Sequence, residues 1–238
     1  MPSNREMETE METVASRRDL LRMAVAGSVA LGLGVAFGAG TPRRAYAQTA
    51  LTPDDALKIL MDGNARFVAG RLTSFQDDLT LLAQKTAEKQ EPFAAILSCA
   101  DSRLPVEIVF DQTIGHVFVT RVAGNVATPE IIASLEYGVA VLGTRLIMVL
   151  GHGACGAVTA AIAGKAVPGQ ISALYAPLRP AVDQAGPDPD RVIRVNARIQ
   201  ASLLRNASPV IAGLVAQSKV KVVAAYYDIT SGAVSLLG

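Results

Sequence analysis

Cys99, His152 and Cys155 have the residue types to hold a metal ion together, and the chain contains two cysteines and two histidines in all. His152 and Cys155 are spaced H-x-x-C within Gly151-His152-Gly153-Ala154-Cys155-Gly156-Ala157, and Cys99 heads Cys99-Ala100-Asp101-Ser102-Arg103. Two thiolates and an imidazole suit zinc, a borderline-soft ion that takes sulfur and nitrogen and favours four ligands. Three protein ligands leave one position for water, the pattern of a catalytic site. Zinc brings the pKa of such a water toward neutrality. Two thiolates also cancel the metal's formal charge, so the water is expected to be less acidic than on a three-histidine zinc, with activity rising at alkaline pH. Asp101 can accept a hydrogen bond from that water. The planar fork of Arg103 can hold the Asp101 carboxylate through two parallel bonds and keep it charged.

Other chemistries use parts of the same set. Cys99 and Cys155 could pair as a disulfide in an exported protein, which leaves His152, Asp101 and Arg103 without a purpose. His152 could activate Cys155 as a nucleophile, which leaves Cys99 idle. The Gly151–Gly156 turn could cradle phosphate, but it lacks G-x-x-x-x-G-K-[ST] and does not fit G-x-G-x-x-G with an acid downstream. His116, the other histidine, starts a strand-like run and reads as a packed or surface residue.

For the metal set to assemble, two separate stretches of chain must end at one place. Cys99 follows the apolar run 93–98, and the His152 turn follows a second apolar run, 146–150, in a strand expected over 145–150. Runs that are apolar on both faces suit the inner strands of a parallel sheet, and neighbouring parallel strands would deliver all three residues to one sheet edge. Residues 116–122 and 221–228 read as two more strands. Residues 233–237 read as a short antiparallel edge strand after the Thr230-Ser231-Gly232 turn. Helices are expected from Thr52, an N-cap followed by Pro53, through to Gly70. Further helices are expected over 79–89, from Thr128 to about Leu142, and over 191–217 with a break at Ser208-Pro209. Residues 105–111 suit a short helix or turn. Residues 164–189, rich in Pro and Gly, suit a loop with one short helix. The expected fold is one α/β domain: four mostly parallel central strands, an antiparallel edge strand, and helices on both faces.

The first 47 residues read as an address. Arg17-Arg18 with Leu20-Leu21 precedes an apolar Gly/Ala-rich run, and Ala45-Tyr46-Ala47 is an A-x-A processing site. Residues 1–47 are therefore expected to be a twin-arginine export signal, cleaved after Ala47. Residues 48–238 would then form the mature domain, a periplasmic protein with no stable membrane association. The net charge of +1 comes without basic blocks, and aromatic residues make up 5% of the chain. Nucleic acid is not expected as a partner.

With these motifs in place, the chain resembles the β-class carbonic anhydrases. The resemblance rests on C-x-D-S-R at Cys99–Arg103 and on G-H-x-x-C-G-A-V from Gly151. It extends to N-x-R-F-x-x-G at Asn64, Arg66, Phe67 and Gly70, to R-V-A-G-N at Arg121–Asn125, and to S-L-E-Y-G-V from Ser134. Y-D-x-x-S-G-x-V from Tyr227 completes it. It implies one Zn2+ per subunit on Cys99, His152 and Cys155, and reversible hydration of carbon dioxide to bicarbonate through zinc-bound hydroxide. Asp101 and Arg103 would be the catalytic dyad, with Asp101 in some members swinging onto zinc as the fourth ligand. Gln112, Phe118 and Tyr137 would line a small substrate pocket, partly across a subunit boundary. A homodimer or tetramer is expected, its N-terminal helices packed on a partner; the alternative for the Thr52–Gly70 helix is that it covers its own sheet. The Arg121–Asn125 loop reads as structural. Relatives acting on CS2 or COS share the zinc set.

Overall fold

The computed structural model describes residues 49–74 and 89–238. The expected helix over 79–89 and the export signal lie almost wholly or wholly outside the described residues. Five strands form one sheet: β1 (Ala94–Ser98), β2 (Val117–Arg121), β3 (Leu146–His152), β4 (Lys221–Tyr227) and β5 (Val234–Leu237). Their spatial order is β2-β1-β3-β4-β5. The first four are parallel, and β5 runs antiparallel to β4. Every residue of β1 and β3 is buried, as the unbroken apolar runs require of inner strands. β3 runs on to His152, opposite Tyr227, two residues beyond the apolar run.

Alternate residues of the strands point to opposite faces, and each face has its own apolar core. Ala94, Ile96, Leu146, Met148 and Leu150 pack with α1 (Pro53–Val68), α2 (Val106–Val109) and α4 (Gly156–Ala163). α5 (Tyr175–Ala185) and the start of α6 (Pro189–Ala207) cover the same face. Ala95, Leu97, Ile147 and Val149 pack with α3 (Pro129–Ala140), α7 (Pro209–Ala216) and the later turns of α6.

The helix boundaries follow local chemistry. Thr52 caps α1 in a reciprocal box with Asp55: its hydroxyl accepts from the Asp55 N–H at 3.1 Å, and the Asp55 carboxylate accepts from the Thr52 N–H at 3.3 Å. Ser208 ends α6 and caps α7 by accepting from the Ile211 N–H. α6 buries a stripe that includes two polar residues, Asn196 and Gln200. The amide of Asn196 donates to the Gly124 carbonyl at 2.9 Å, and Gln200 accepts from the Ala127 N–H at 2.9 Å. The loop after β2 is thereby tied to α6.

The 164–189 stretch is more regular than its prolines and glycines suggest. A 3-10 turn (Ile171–Leu174) leads into the eleven-residue α5. Pro177 lies in the first turn, where no N–H is needed. Pro180 removes one interior bond, and burial of Leu178, Ala181 and Ala185 along one face holds the helix. Two long-range polar contacts close the fold. Asn64 of α1 donates to the carbonyls of Val109 and Gly232 and accepts from the Val234 N–H. Asp111, left-handed at φ 47°, accepts five hydrogen bonds, from Arg66 and from the main chains and hydroxyls of Thr73 and Ser74.

Candidate metal centre

β1 and β3 are parallel neighbours, with Ser98 opposite Leu150, so their C-terminal ends emerge side by side. Cys99 leaves one, His152 ends the other, and Cys155 follows as the N-cap of α4. One ligand atom from each of the three lies within 4.8 Å of the other two, and all three residues are buried. Among the described residues this is the one cluster of three or more potential metal donors. The sulfurs are 4.0 Å apart and both cysteines are free thiols.

The imidazole is already oriented. His152 Nδ1 lies 2.9 Å from the Gly153 carbonyl. A carbonyl can only accept, so Nδ1 is the donor, and in the neutral ring that leaves the lone pair on Nε2. Nε2 is buried and has no hydrogen-bond partner, a costly state for a polar atom unless a ligand takes it.

The two thiols resist losing both protons. Cys99 is pulled down by its bond with Cys155, against burial, with help from the Gly124 N–H at 3.3 Å. Cys155 is pushed up by the Cys99 sulfur and by burial, against the main-chain N–H groups of Ala157 and Val158 at the start of α4. Two thiolates at this spacing need a cation between them. Sulfurs each about 2.3 Å from a tetrahedral zinc lie about 3.8 Å apart, close to the observed separation. The donor set, the orphaned nitrogen and the sulfur spacing all fit that ion.

Asp101 and Arg103 stand beside the cluster as a forked pair. Nε of Arg103 donates to Oδ1 at 2.9 Å and Nη2 to Oδ2 at 2.7 Å. The guanidinium holds the Asp101 carboxyl well below the usual carboxylate range. Asp101 Oδ2 is 4.0 Å from His152 Nε2, so the carboxylate faces the lone pair that would ligate. Arg103 Nη2 also reaches the Ala154 carbonyl at 3.2 Å. Ala154 takes a left-handed φ of 54°, which a residue with a side chain rarely adopts.

The three pocket residues expected from the sequence fall in two places. Gln112 commits its amide to the Phe110 carbonyl at 2.8 Å. It lines a cavity of about 580 Å³ with Arg66, Thr73, Phe93 and Asp111. Phe118 and Tyr137 stand together at the outer strand β2, ring centroids 6.3 Å apart, with Tyr137 exposed. The Arg121–Asn125 loop, expected to be structural, holds a contact the sequence did not specify, made by Arg121. Its Nε donates to the Cys99 carbonyl at 3.0 Å and its Nη2 to the Asp101 carbonyl at 2.6 Å, so it braces the loop that carries one donor and the dyad. Its place at the end of the strand beside β1 was the available signal.

Comparison with known proteins adds to this geometry. A family model described as carbonic anhydrase matches residues 94–234. The chain is 49% identical over 111 residues to carbonic anhydrase 2 of Mycobacterium tuberculosis, covering 47% of this chain and 53% of that protein. It therefore spans about half the length of that relative. It is 31% identical over 172 residues to carbonic anhydrase of Pseudomonas aeruginosa, covering 66% of this chain and 78% of the relative. Among solved structures it is similar to a tetrameric β-carbonic anhydrase of Sordaria macrospora, with TM-score 0.62 and 27% identity over 78% of this chain and 98% of that one. It is also similar to the Coccomyxa β-carbonic anhydrase in complex with acetazolamide, with TM-score 0.59 and 26% identity over 66% of this chain and 77% of that one.

Proposed function

The chain belongs to the β-class carbonic anhydrase family, and on that premise we propose that it interconverts carbon dioxide and bicarbonate with zinc held by Cys99, His152 and Cys155. The observation that carries the reading is the buried Cys–His–Cys cluster with an unpartnered Nε2 facing a forked Asp–Arg pair. When bound, zinc supplies a Lewis acid that makes a coordinated water acidic enough to act as nucleophile near neutral pH.

The chain's own residues do the rest. His152 is held in one tautomer by Gly153. Asp101, kept ionised by Arg103, is an acceptor beside the cluster and orients a donor there, so that a lone pair is presented to carbon dioxide. With both Asp101 oxygens engaged by Arg103, the carboxylate favours this role over ligating the metal. Arg121 and the Gly124 N–H hold the Cys99 loop in place. Gln112, Phe118 and Tyr137 are proposed to border the substrate path, the latter two from the exposed side of β2.

The relative from Sordaria is tetrameric, and an oligomer is proposed for this chain as well. Export by the twin-arginine route, with cleavage after Ala47 and a periplasmic destination, is supported by Arg17-Arg18, the apolar run and the A-x-A site. Among the described residues no helix is long and apolar enough to cross a membrane.

The test is metal analysis of the purified mature protein together with stopped-flow carbon dioxide hydration. One zinc per chain with hydration activity is expected. A metal-free protein, or a zinc-loaded one that leaves hydration at the uncatalysed rate, rejects the reading.

A further inference from the structure

His152 lies between two close approaches. On one side, a Cβ at Gly151 would fall 2.9 Å from Ile193 Cγ2 and 3.6 Å from Ala197 Cβ, so α6 packs directly on the strand backbone. On the other side, a Cβ at Gly153 would fall 2.9 Å from the Tyr226 hydroxyl oxygen, while the next nearest atoms, Tyr226 Cζ and the Ile229 nitrogen, are 3.8 Å away. The phenolic end of Tyr226 therefore rests against the α-carbon of the residue that orients the histidine.

Tyr226 is itself held from two directions. Its hydroxyl donates to Asp190 Oδ1 at 2.5 Å, and the other Asp190 oxygen accepts from Arg194 Nε at 2.9 Å. The Arg194 guanidinium lies 3.6 Å over the Tyr226 ring centroid, a cation–π contact. Asp190 and Arg194 are one turn apart on α6, so the three side chains form a closed triangle between that helix and β4. Burial and the Asp190 carboxylate push the phenol up to about 12, so it stays a donor at ordinary pH.

We propose that Tyr226, clamped by Asp190 and Arg194, is a positioning residue for the metal centre: its hydroxyl fixes the Gly153 peptide, and that peptide fixes His152. Gly153 is held from three sides, through both of the peptides that flank it. Its N–H donates to the Tyr227 carbonyl at 3.0 Å, its α-carbon faces Tyr226, and its carbonyl accepts from His152 Nδ1. If the peptide moves, the Nδ1 bond is lost and Nε2 no longer points at the cysteine sulfurs. Contacts one step removed from a metal-bound histidine tune metal affinity by about 10- to 100-fold. The inference rests on the zinc reading above and adds a residue that does not itself touch the ion.

The experiment measures zinc affinity of the purified mature protein by competition with a chromophoric chelator, and the visible absorption of the cobalt-substituted form. Tyr226→Phe is expected to fold normally by circular dichroism, to bind zinc about 10-fold more weakly, and to shift the cobalt bands. Asp190→Asn, which keeps the tyrosine and removes the charge that holds it, should fall between that variant and the parent. Gly153→Ala should weaken zinc by about 10-fold or more. Combining it with Tyr226→Phe should add little to the loss from either change alone, because both act on one contact and the added methyl then meets its nearest ring atom at 3.8 Å. Equal zinc affinity in the parent and Tyr226→Phe, or losses that multiply in the double variant, overturns the inference. Should Tyr226→Phe fail to fold, parental zinc affinity in Asp190→Asn overturns it instead. A parent protein that binds no zinc overturns the zinc reading itself, a different failure from tight zinc binding that ignores Tyr226.

Discussion

Asp101 gives both oxygens to one guanidinium yet keeps Oδ2 4.0 Å from the histidine lone pair, and this double duty separates its effects from those of the donors. Cys99→Ser and His152→Ala are expected to lose zinc and hydration activity together, read by metal analysis and stopped-flow. Asp101→Asn keeps a similar shape but loses the charge, so it should retain zinc and lose about 100-fold or more in kcat. Retention of full hydration activity by any of the three would remove the residue from the mechanism. Arg103→Lys cannot make the two parallel bonds, and should lower kcat toward the Asp101→Asn level. The grouping of Cys99, His152 and Cys155 beside an Asp101–Arg103 pair was legible in the sequence because these residues are chemically distinctive and sit at the ends of apolar runs. The Arg121–Asn125 loop was legible as structural, but the particular bonds of Arg121, the Gly124 N–H and the Ala154 carbonyl were not, because a main-chain bond carries no residue-type signature and one arginine looks like another until the strands are paired.

Among the elements, the strands were the most readable, since burial on both faces writes itself as unbroken Val, Ile, Leu and Ala. α5 was the least readable: its prolines spoke for a loop, and only the packed face of Leu178, Ala181 and Ala185 outweighs them. The contact between α1, the segment after it, and α2 depends on Asp111, which no periodicity announces. Burial raises its pKa and the hydrogen bonds from Arg66, Thr73 and Ser74 lower it further, for a net shift well below the usual range. A carboxyl with a depressed folded pKa contributes stability above its unfolded pKa of about 4 and loses it as pH falls toward the folded value. Thermal melts should therefore show the parent losing stability below about pH 4. Asp111→Asn should start about 2–3 kcal/mol less stable at pH 7 and lose less on acidification. Parallel pH profiles for the two proteins would show that Asp111 makes no such contribution.

For the whole molecule, two expectations concern assembly and address. Sedimentation of the mature protein should give a dimer or tetramer, and a monomer at micromolar concentration would contradict the proposed assembly. Changing Arg17 and Arg18 together to Lys should leave uncleaved precursor in the cytoplasm, as fractionation and blotting would show, while normal processing of that variant would refute the twin-arginine reading. The latch at Asn64 bears on the same journey. Its partners Gly232 and Val234 lie 168 and 170 positions downstream, so these two bonds to α1 form only after the β4–β5 turn has been synthesised. Among the described elements, birth order and closure order thus run in opposite senses: α1 is made before the strands it packs on, and the β4–β5 hairpin carries the groups that tie Asn64 down.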